Sequence, residues 1–245
     1  MTEEIRGRAT KYAVVTGANK GIGFEICRQL ASQGVVVVLT ARNEKRGVEA
    51  LEKLKGLIGL AKENVVFQQL DVMDPSTIAS LAEFIKTQFG RLDILVNNAR
   101  IGGVTADADA LIAKQESSGN LKQEWAKGVL SESDNLTEEK IQEVIEQYLR
   151  DNKEDTLQAK GCPSLMSAYI LSKAAMNAYS RVMAKKHPYI QINCVCPGFV
   201  KTDMTYNSGI LSIEQGAESP VMLALQPDGA ASGLFFVRKR VSSSL

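Results

Sequence analysis

Tyr169 and Lys173 stand four residues apart in Tyr169-Ile-Leu-Ser-Lys173, so on a helix a phenol and an ammonium project from one face. A lysine charge beside a tyrosine favours the phenolate, which makes the phenol a usable proton donor when hydride adds to a carbonyl. The same spacing arises by accident on many helices, so the pair has meaning only beside a site that could supply the hydride. Gly17-Ala-Asn19-Lys20-Gly21-Ile22-Gly23 has the composition of one. Its glycines allow a tight turn and let backbone N–H groups approach a pyrophosphate, while a helix starting there offers its N-terminus to the negative charge. An ordinary glycine turn is the competing reading. The context speaks for a dinucleotide turn, because an apolar run precedes it and an amphipathic pattern comes after it.

The stretch after the second apolar run favours NADPH over NADH. Enzymes that use NAD usually carry an acid there for the ribose 2′-hydroxyl. Thr40-Ala41-Arg42-Asn43 has none. The guanidinium of Arg42 can pair with a 2′-phosphate through its planar fork, and Lys20 in the turn can add a second charge. Either cation could equally be a solvated surface residue.

Other chemistries have little to stand on. Cys27, Cys162, Cys194 and Cys196 are spaced for neither a disulfide framework nor a zinc site. His187 is the sole histidine, so a Ser-His-Asp triad has one candidate base and a protein-held transition metal is not expected. A net charge of +1 gives no bulk attraction to nucleic acid or an anionic membrane. No apolar run reaches the roughly 18 residues of a membrane span, and the start, Met1-Thr-Glu-Glu-Ile-Arg, lacks the apolar stretch of a secretory signal. The expectation is a cytosolic protein acting on a small molecule.

The elements that must position these residues emerge from periodicity. Lys11–Thr16, Val35–Thr40, Val65–Leu70 and Leu92–Val96 read as buried strands, apolar almost throughout, as in a parallel sheet covered on both faces. Ile22, Ile26, Cys27 and Leu30 mark a helix stopped at Gly34, and Val48, Leu51, Leu54 and Leu57 mark one side of a second. Asp74 and Pro75 are an N-cap and first position for a helix through Phe89. Later come a helix over 167–186, a strand over 190–195, a short helix over 213–225 and a strand over 233–237. Between residues 99 and 165 the pattern predicts one helix, about Thr137 to Arg150, with Ile141, Val144, Ile145, Tyr148 and Leu149 on one face. The alternation predicts an α/β fold with a doubly wound, mostly parallel sheet of Rossmann type, as a single domain over 1–245. Residues 11–98 form its cofactor half.

Thr16–Gly23 as TGxxxGIG, Leu-Asp-Val at 70–72, Asn97-Asn98-Ala99, Tyr169–Lys173 and Pro197–Thr202 as PGxVxT together resemble the short-chain dehydrogenase/reductase family along most of the chain. Residues 124–131, 166–173, 195–203 and 216–221 resemble more narrowly the plant menthone/neomenthol and salutaridine reductase group. The resemblance implies an NADPH-dependent carbonyl reductase, typically monomeric, with an extra helical segment before the tyrosine. It implies that Asp71 and Val72 border the adenine and that Asn98 lines the cofactor cleft. Val200 would hold the nicotinamide carboxamide, Thr202 would reach a phosphate, and Lys173 would also bond the nicotinamide ribose. Val72 and Val200 could instead be core, and Asp71 a turn residue.

The chain departs from the family after Asn98. The resemblance leads one to expect a long helix carrying an active-site asparagine, then a fifth strand ending in a serine-rich turn. From Ala99 to Trp125 there are 26 steps, and a parallel crossover alone takes about a dozen residues. Roughly fifty residues are missing by this reckoning. Asn120 is the only asparagine between Asn98 and Asn135, in a polar stretch. Ser118, or less readily Ser117, stands in for the family's catalytic serine, or both belong to a plain polar loop. Arg100 replaces the glycine of the family's NNAG. Leaving out a central strand would strand buried backbone groups at about 1–3 kcal/mol each, so residues 104–116 substitute for it, later strands slide inward, or the chain is marginally stable. Two functions remain open: a reductase of a small, monoterpenoid-like ketone or aldehyde, and a shortened, non-catalytic dinucleotide-binding form of one.

Overall fold

The computed structural model describes residues 10–58, 63–100, 124–132, 134–157, 159 and 167–242. The chain divides into two compact units. The first contains four parallel strands, β1 (Tyr12–Val15), β2 (Val36–Ala41), β3 (Val65–Gln69) and β4 (Ile94–Val96), in the order β3-β2-β1-β4. Its helices are α1 (Gly21–Ser32), α2 (Glu44–Ile58), α3 (Pro75–Phe89) and α7 (Ile213–Ala224). The second contains α4 (Glu124–Ser131), α5 (Glu138–Lys153), α6 (Ser167–Lys186) and a sheet of β5 (Cys194–Cys196), β6 (Phe235–Val237) and β7 (Arg240–Ser242).

Strand alternation explains why β1 and β2, at the middle of the first sheet, are apolar on both faces. Ala13, Val15, Val37, Leu39 and Ile94 point to one side and pack with Ile26, Cys27 and Leu30 of α1, Leu54 of α2, and Ala217 and Val221 of α7. Val14 and Val38 point to the other, against Leu70 and against Leu81 and Ile85 of α3. Val14 pairs in register with both Val38 and Leu95. Val14 and Val38 are buried, whereas Leu95 is 55% exposed. The second side therefore loses its cover toward β4. Among the described residues no strand pairs with the far edge of β4 or of β5. Residues 104–116, the candidate substitute strand, lie outside the described residues.

Local chemistry sets the helix ends. Asp74 accepts the Ser76 N–H at 2.9 Å ahead of Pro75, as the sequence predicts for α3. Thr137 accepts the Lys140 N–H at 3.3 Å and starts α5, with Glu138 and Glu139 in the first turn and Arg150 and Lys153 in the last, each sign matched to the helix dipole. Ser212 and Gln215 form a reciprocal capping box on α7. In the second unit, Ala126 and Leu130 of α4, Ile141, Val144 and Tyr148 of α5, and Leu171, Ala174 and Ala178 of α6 share one core.

Four expectations are corrected. First, α2 does not bury Val48 and Leu57, which are exposed; its inward face is Gly47, Ala50 and Leu54, with Leu51 half-buried. Gly47 lies against the Phe67 ring so closely that a Cβ there would meet it at 2.0 Å, which rotates the small residues inward. Second, Leu149 of α5 is exposed and Asp151 is buried in the same helix. Third, the stretch 99–165 holds a second helix, α4. Fourth, β5 spans Cys194–Cys196 rather than 190–195. Ile192 N–H donates to Ser232 Oγ at 2.9 Å and the Asn193 side chain binds Ala231 O and Leu234 N–H, so side chains take bonds that a longer strand ladder would use. The last strand also turns back through β7, antiparallel to β6.

Candidate active site

The first unit gathers most of the expected dinucleotide residues around the end of β1. Gly17 has φ +62°, and a Cβ on it would lie 2.8 Å from Ala99 Cα. Only glycine fits such a left-handed conformation with backbone that close. Gly23 is held as tightly: a Cβ there would meet Asn98 Nδ2 at 2.4 Å. Asn98 uses that amide to brace the turn, donating to Thr16 O at 2.9 Å and Gly17 O at 3.2 Å. Thr16 Oγ1, buried, accepts the Asn98 and Ala99 backbone N–H groups at 2.9 and 2.8 Å. Lys20 is the N-cap of α1 in extended conformation and makes no side-chain cap. The first-turn N–H groups of α1 lack a side-chain cap, the arrangement that suits an anion.

The stretch after Gly198 approaches the same turn. Val200 is buried, bridges Leu211, and packs so closely on α7 that a Cβ at Gly216 would meet its Cγ2 at 2.7 Å. Its tight seat gives it a packing role. Thr202 Cγ2 lies 3.7 Å from where a Cβ of Gly21 would stand, so the threonine is beside the turn. Lys20 Nζ donates to Asp203 Oδ2 at 2.5 Å. The lysine's hydrogen bond and charge hold the Asp203 carboxyl below its usual range.

Beyond the turn, Arg42 is exposed just past β2, where Gln69 Nε2 donates to its carbonyl at 3.0 Å. Asp71 Oδ1 accepts the Met73 N–H at 3.0 Å and Asp71 N–H donates to Thr77 Oγ1 at 3.0 Å, so this residue also shapes a turn. Val72 is exposed next to it. Asn19 and Ile22 are half-buried within the turn.

Tyr169 and Lys173 belong to the second unit. Both are half-buried on α6, and Lys173 Nζ lies 5.9 Å from the Tyr169 ring centroid, within cation–π range. The α6 start is fixed by a buried bond of 2.8 Å between Tyr148 Oη and Ser167 Oγ. Nearby, Cys194 Sγ donates to Ser180 Oγ at 3.0 Å; burial pushes this thiol up, while the serine bond and the Arg181 and Lys173 charges pull it back. Ser117, Ser118 and Asn120 lie outside the described residues. Among the described residues no group of three His, Cys, Asp or Glu side chains is placed to hold a metal ion.

Sequence reasoning passed over two residues. Thr16 precedes the glycine turn, and its neighbourhood with Asn98 spans 82 positions. Asp203 directly follows the PGxVxT stretch, and its partner is 183 positions away. Neither contact leaves a local pattern; the only signal was that each adjoins a recognisable motif.

The short chain dehydrogenase family model matches residues 11–123 and 158–209 and skips the stretch holding α4 and α5. (+)-Neomenthol dehydrogenase of Arabidopsis thaliana is 49% identical, covering 95% of this chain and 97% of its own. That alignment runs over 288 residues, 43 more than the 245 of this chain. Carbonyl reductase [NADPH] 3 of Mus musculus is 33% identical, covering 90% of this chain and 93% of its own. Among solved structures, salutaridine reductase from Papaver somniferum superposes with a TM-score of 0.83 at 41% identity, covering 93% of this chain and 99% of that one.

Proposed function

The chain belongs to the short chain dehydrogenase family, and from that premise we propose that it is an NADPH-dependent carbonyl reductase of a small ketone or aldehyde, monoterpenoid in character. The observation that carries this reading is the Tyr169–Lys173 pair on one face of α6, in a chain that also holds a braced dinucleotide turn. The turn fits the cofactor on its own terms: Cβ atoms at residues 17 and 23 would collide with Ala99 and Asn98, so glycines alone allow this tight turn, and α1 begins without a side-chain cap.

In this reading the backbone N–H groups of Gly17, Asn19, Lys20, Gly21, Ile22 and Gly23 receive the pyrophosphate. Arg42 takes the 2′-phosphate, Asp71 and Val72 border the adenine, and Asn98 holds the turn open. Val200 meets the nicotinamide carboxamide and Thr202 a phosphate. When bound, the nicotinamide supplies the hydride. Tyr169 Oη donates a proton to the substrate oxygen, with the Lys173 ammonium beside it on the same face of α6. Lys173 also bonds the nicotinamide ribose, and Ser118 orients the carbonyl. The protein acts as one cytosolic, monomeric domain. Among the described residues, no helix is long and apolar enough to cross a membrane.

A second reading has its own support. The 43-position excess of the alignment and the exposure of Leu95 on a strand of an otherwise covered sheet favour a chain shortened after β4, and a shortened chain could bind the dinucleotide without turning it over. Titrating NADPH by fluorescence and following its oxidation with monocyclic ketones and aldehydes separates the two. The reductase reading expects saturable binding and turnover, with Tyr169→Phe abolishing turnover while sparing binding. Binding without turnover selects the second reading. Turnover unchanged in Tyr169→Phe removes the tyrosine from the mechanism.

A further inference from the structure

We infer that Met176 is an oxidation site that governs Lys173: its thioether is a positioning group for the ammonium, and conversion of that sulfur to a sulfoxide by a peroxide draws the ammonium away from Tyr169 and slows turnover. The inference rests on the reductase reading above, which gives Lys173 its place beside the proton donor. Tyr169, Lys173, Met176 and Ser180 are spaced i, i+4, i+7 and i+11 on α6, so they form one stripe along the helix. On that stripe Lys173 Nζ lies 5.9 Å from the Tyr169 ring centroid and donates to Met176 Sδ at 3.6 Å. The ammonium thus has an aromatic ring on one side and a sulfur on the other. Met176 is 48% exposed, so the side chain that Lys173 touches is open to an oxidant in solution.

A second sulfur stands close by, in surroundings that protect it. Ser180 Oγ donates to Met176 O at 2.9 Å and accepts the Cys194 Sγ–H at 3.0 Å. Burial pushes the Cys194 thiol up, so it keeps its proton, and a protonated thiol is a poor nucleophile toward peroxide. A thioether has no proton to lose and reacts as it stands. The step is a two-electron oxidation of sulfur. A sulfur lone pair attacks one oxygen of hydrogen peroxide, and the S–O bond forms as the O–O bond breaks. The departing hydroxide takes the proton of the transferred oxygen and leaves as water. A methionine sulfoxide reductase reverses the change: the oxygen leaves as water while a dithiol becomes a disulfide.

Oxidation changes the acceptor that faces Lys173. A thioether sulfur accepts weakly. A sulfoxide is polar, and its oxygen facing an ammonium makes a charge-assisted hydrogen bond. That bond competes for Lys173 with the Tyr169 side and with the ribose that the reductase reading assigns to it. Turnover should therefore fall more than NADPH binding, because the glycine turn and Arg42 hold the phosphates in that reading. The expected loss in kcat is about tenfold, the lower end of what a hydrogen bond to a charged group is worth. Met176→Gln places an amide oxygen near Lys173 without any oxidant and should lower kcat in the same direction. Met176→Leu keeps the apolar bulk without the sulfur, so its rate should be indifferent to peroxide.

The test exposes the full chain, Met176→Leu and Met73→Leu to hydrogen peroxide, each compared with itself before treatment. Met73 is 86% exposed and belongs to the first unit, so it oxidises without bearing on Lys173. Peptide mass spectrometry locates the sulfoxides, steady-state kinetics give kcat and KM for a ketone, and fluorescence titration gives the Kd of NADPH. Acetylation of Lys173 by acetic anhydride in the ligand-free chain reads the ammonium directly, since a stronger acceptor makes it less available. In the parent and in Met73→Leu, oxidation should lower kcat far more than NADPH affinity and slow Lys173 acetylation. Dithiothreitol alone should restore neither, and methionine sulfoxide reductase should restore both. Met176→Leu should keep its own rate. A loss of kcat that persists in Met176→Leu or that dithiothreitol alone reverses, a Met176 sulfoxide that changes neither kcat nor acetylation, or a Met176→Gln that turns over like the parent overturns the inference. If the unmodified chain shows no turnover, the proposed function fails, and Lys173 acetylation before and after oxidation alone decides whether Met176 governs the ammonium.

Discussion

Cys27 has no water to ionise into. It sits at 0% exposure among Ile26, Leu30 and the strands of the first unit, and burial pushes its thiol far above the ordinary value. A thiol whose folded pKa is raised stabilises the fold below its unfolded value, about 8.5, and that stability is lost as pH rises past it. The expected cost is about 1.4 kcal/mol for each pH unit above that point. Urea melts between pH 8 and 10 should therefore slope downward less in Cys27→Ala than in the parent; equal slopes would dissociate the thiol from the pH response. In the native chain a thiol reagent should label the exposed Cys196 and spare Cys27 until unfolding. At this scale the sequence was most readable where a residue type is dictated by its own backbone. Gly17 is required by its own left-handed backbone, and the glycine spacing announces both it and Gly23, although the atoms that crowd them, at Ala99 and Asn98, lie beyond β4. Asp203 is an aspartate for a reason 183 positions distant, and no local pattern encodes that.

Helices were legible where caps and period agree. Asp74-Pro75 fixed the start of α3, Thr137 with two following glutamates fixed that of α5, and the Tyr169 helix over 167–186 coincides with α6. The helix α4 was missed because eight residues give barely two turns of period. The inward face of α2 was misplaced because glycine and alanine carry no hydrophobic signal, yet they are what Phe67 selects. The cap and core that hold α6 in place also give a prediction. Tyr148 and Ser167 are buried and bonded to each other at 2.8 Å. Tyr148→Phe leaves the serine hydroxyl without that partner, and should cost about 1–3 kcal/mol in a urea melt. Replacing both, as Tyr148→Phe with Ser167→Ala, should recover part of that loss, because an apolar pair leaves nothing unsatisfied. Additive losses in the double variant would mean that the two hydroxyls act independently. Since Ser167 is two residues ahead of Tyr169, the single variant should also depress turnover more than NADPH binding.

At the scale of the whole molecule, the described strands fall into a sheet of four and a sheet of three, with β4 and β5 each at an edge. Of the first four strands, β1 and β2 were the most readable because they are covered on both sides and therefore apolar at almost every position, whereas β3 ends in Gln68 and Gln69 and β4 exposes Leu95. The chain beyond β4 was readable only as a shortage of residues. The shortened reading proposed above draws on Leu95: its register partner Val14 and, one strand further, Val38 are buried, and Leu95 is exposed. Burying a leucine side chain is worth about 1.5–3 kcal/mol, a substantial share of a domain stability of about 5–15 kcal/mol. Replacing residues 100–123 by the longer corresponding stretch of a relative that retains it should therefore do two things. The midpoint of urea unfolding should rise, with a larger m-value because more surface is buried on folding. Turnover of NADPH with a ketone should increase well beyond any gain in NADPH affinity, because the turn at Gly17–Gly23 is already braced by Asn98 without the added stretch. A chimera no more stable and no more active than the parent would show that the short chain loses nothing by its missing segment. A chimera that gains affinity but not turnover would place the deficit in the dinucleotide half instead, against the intact bracing of that turn.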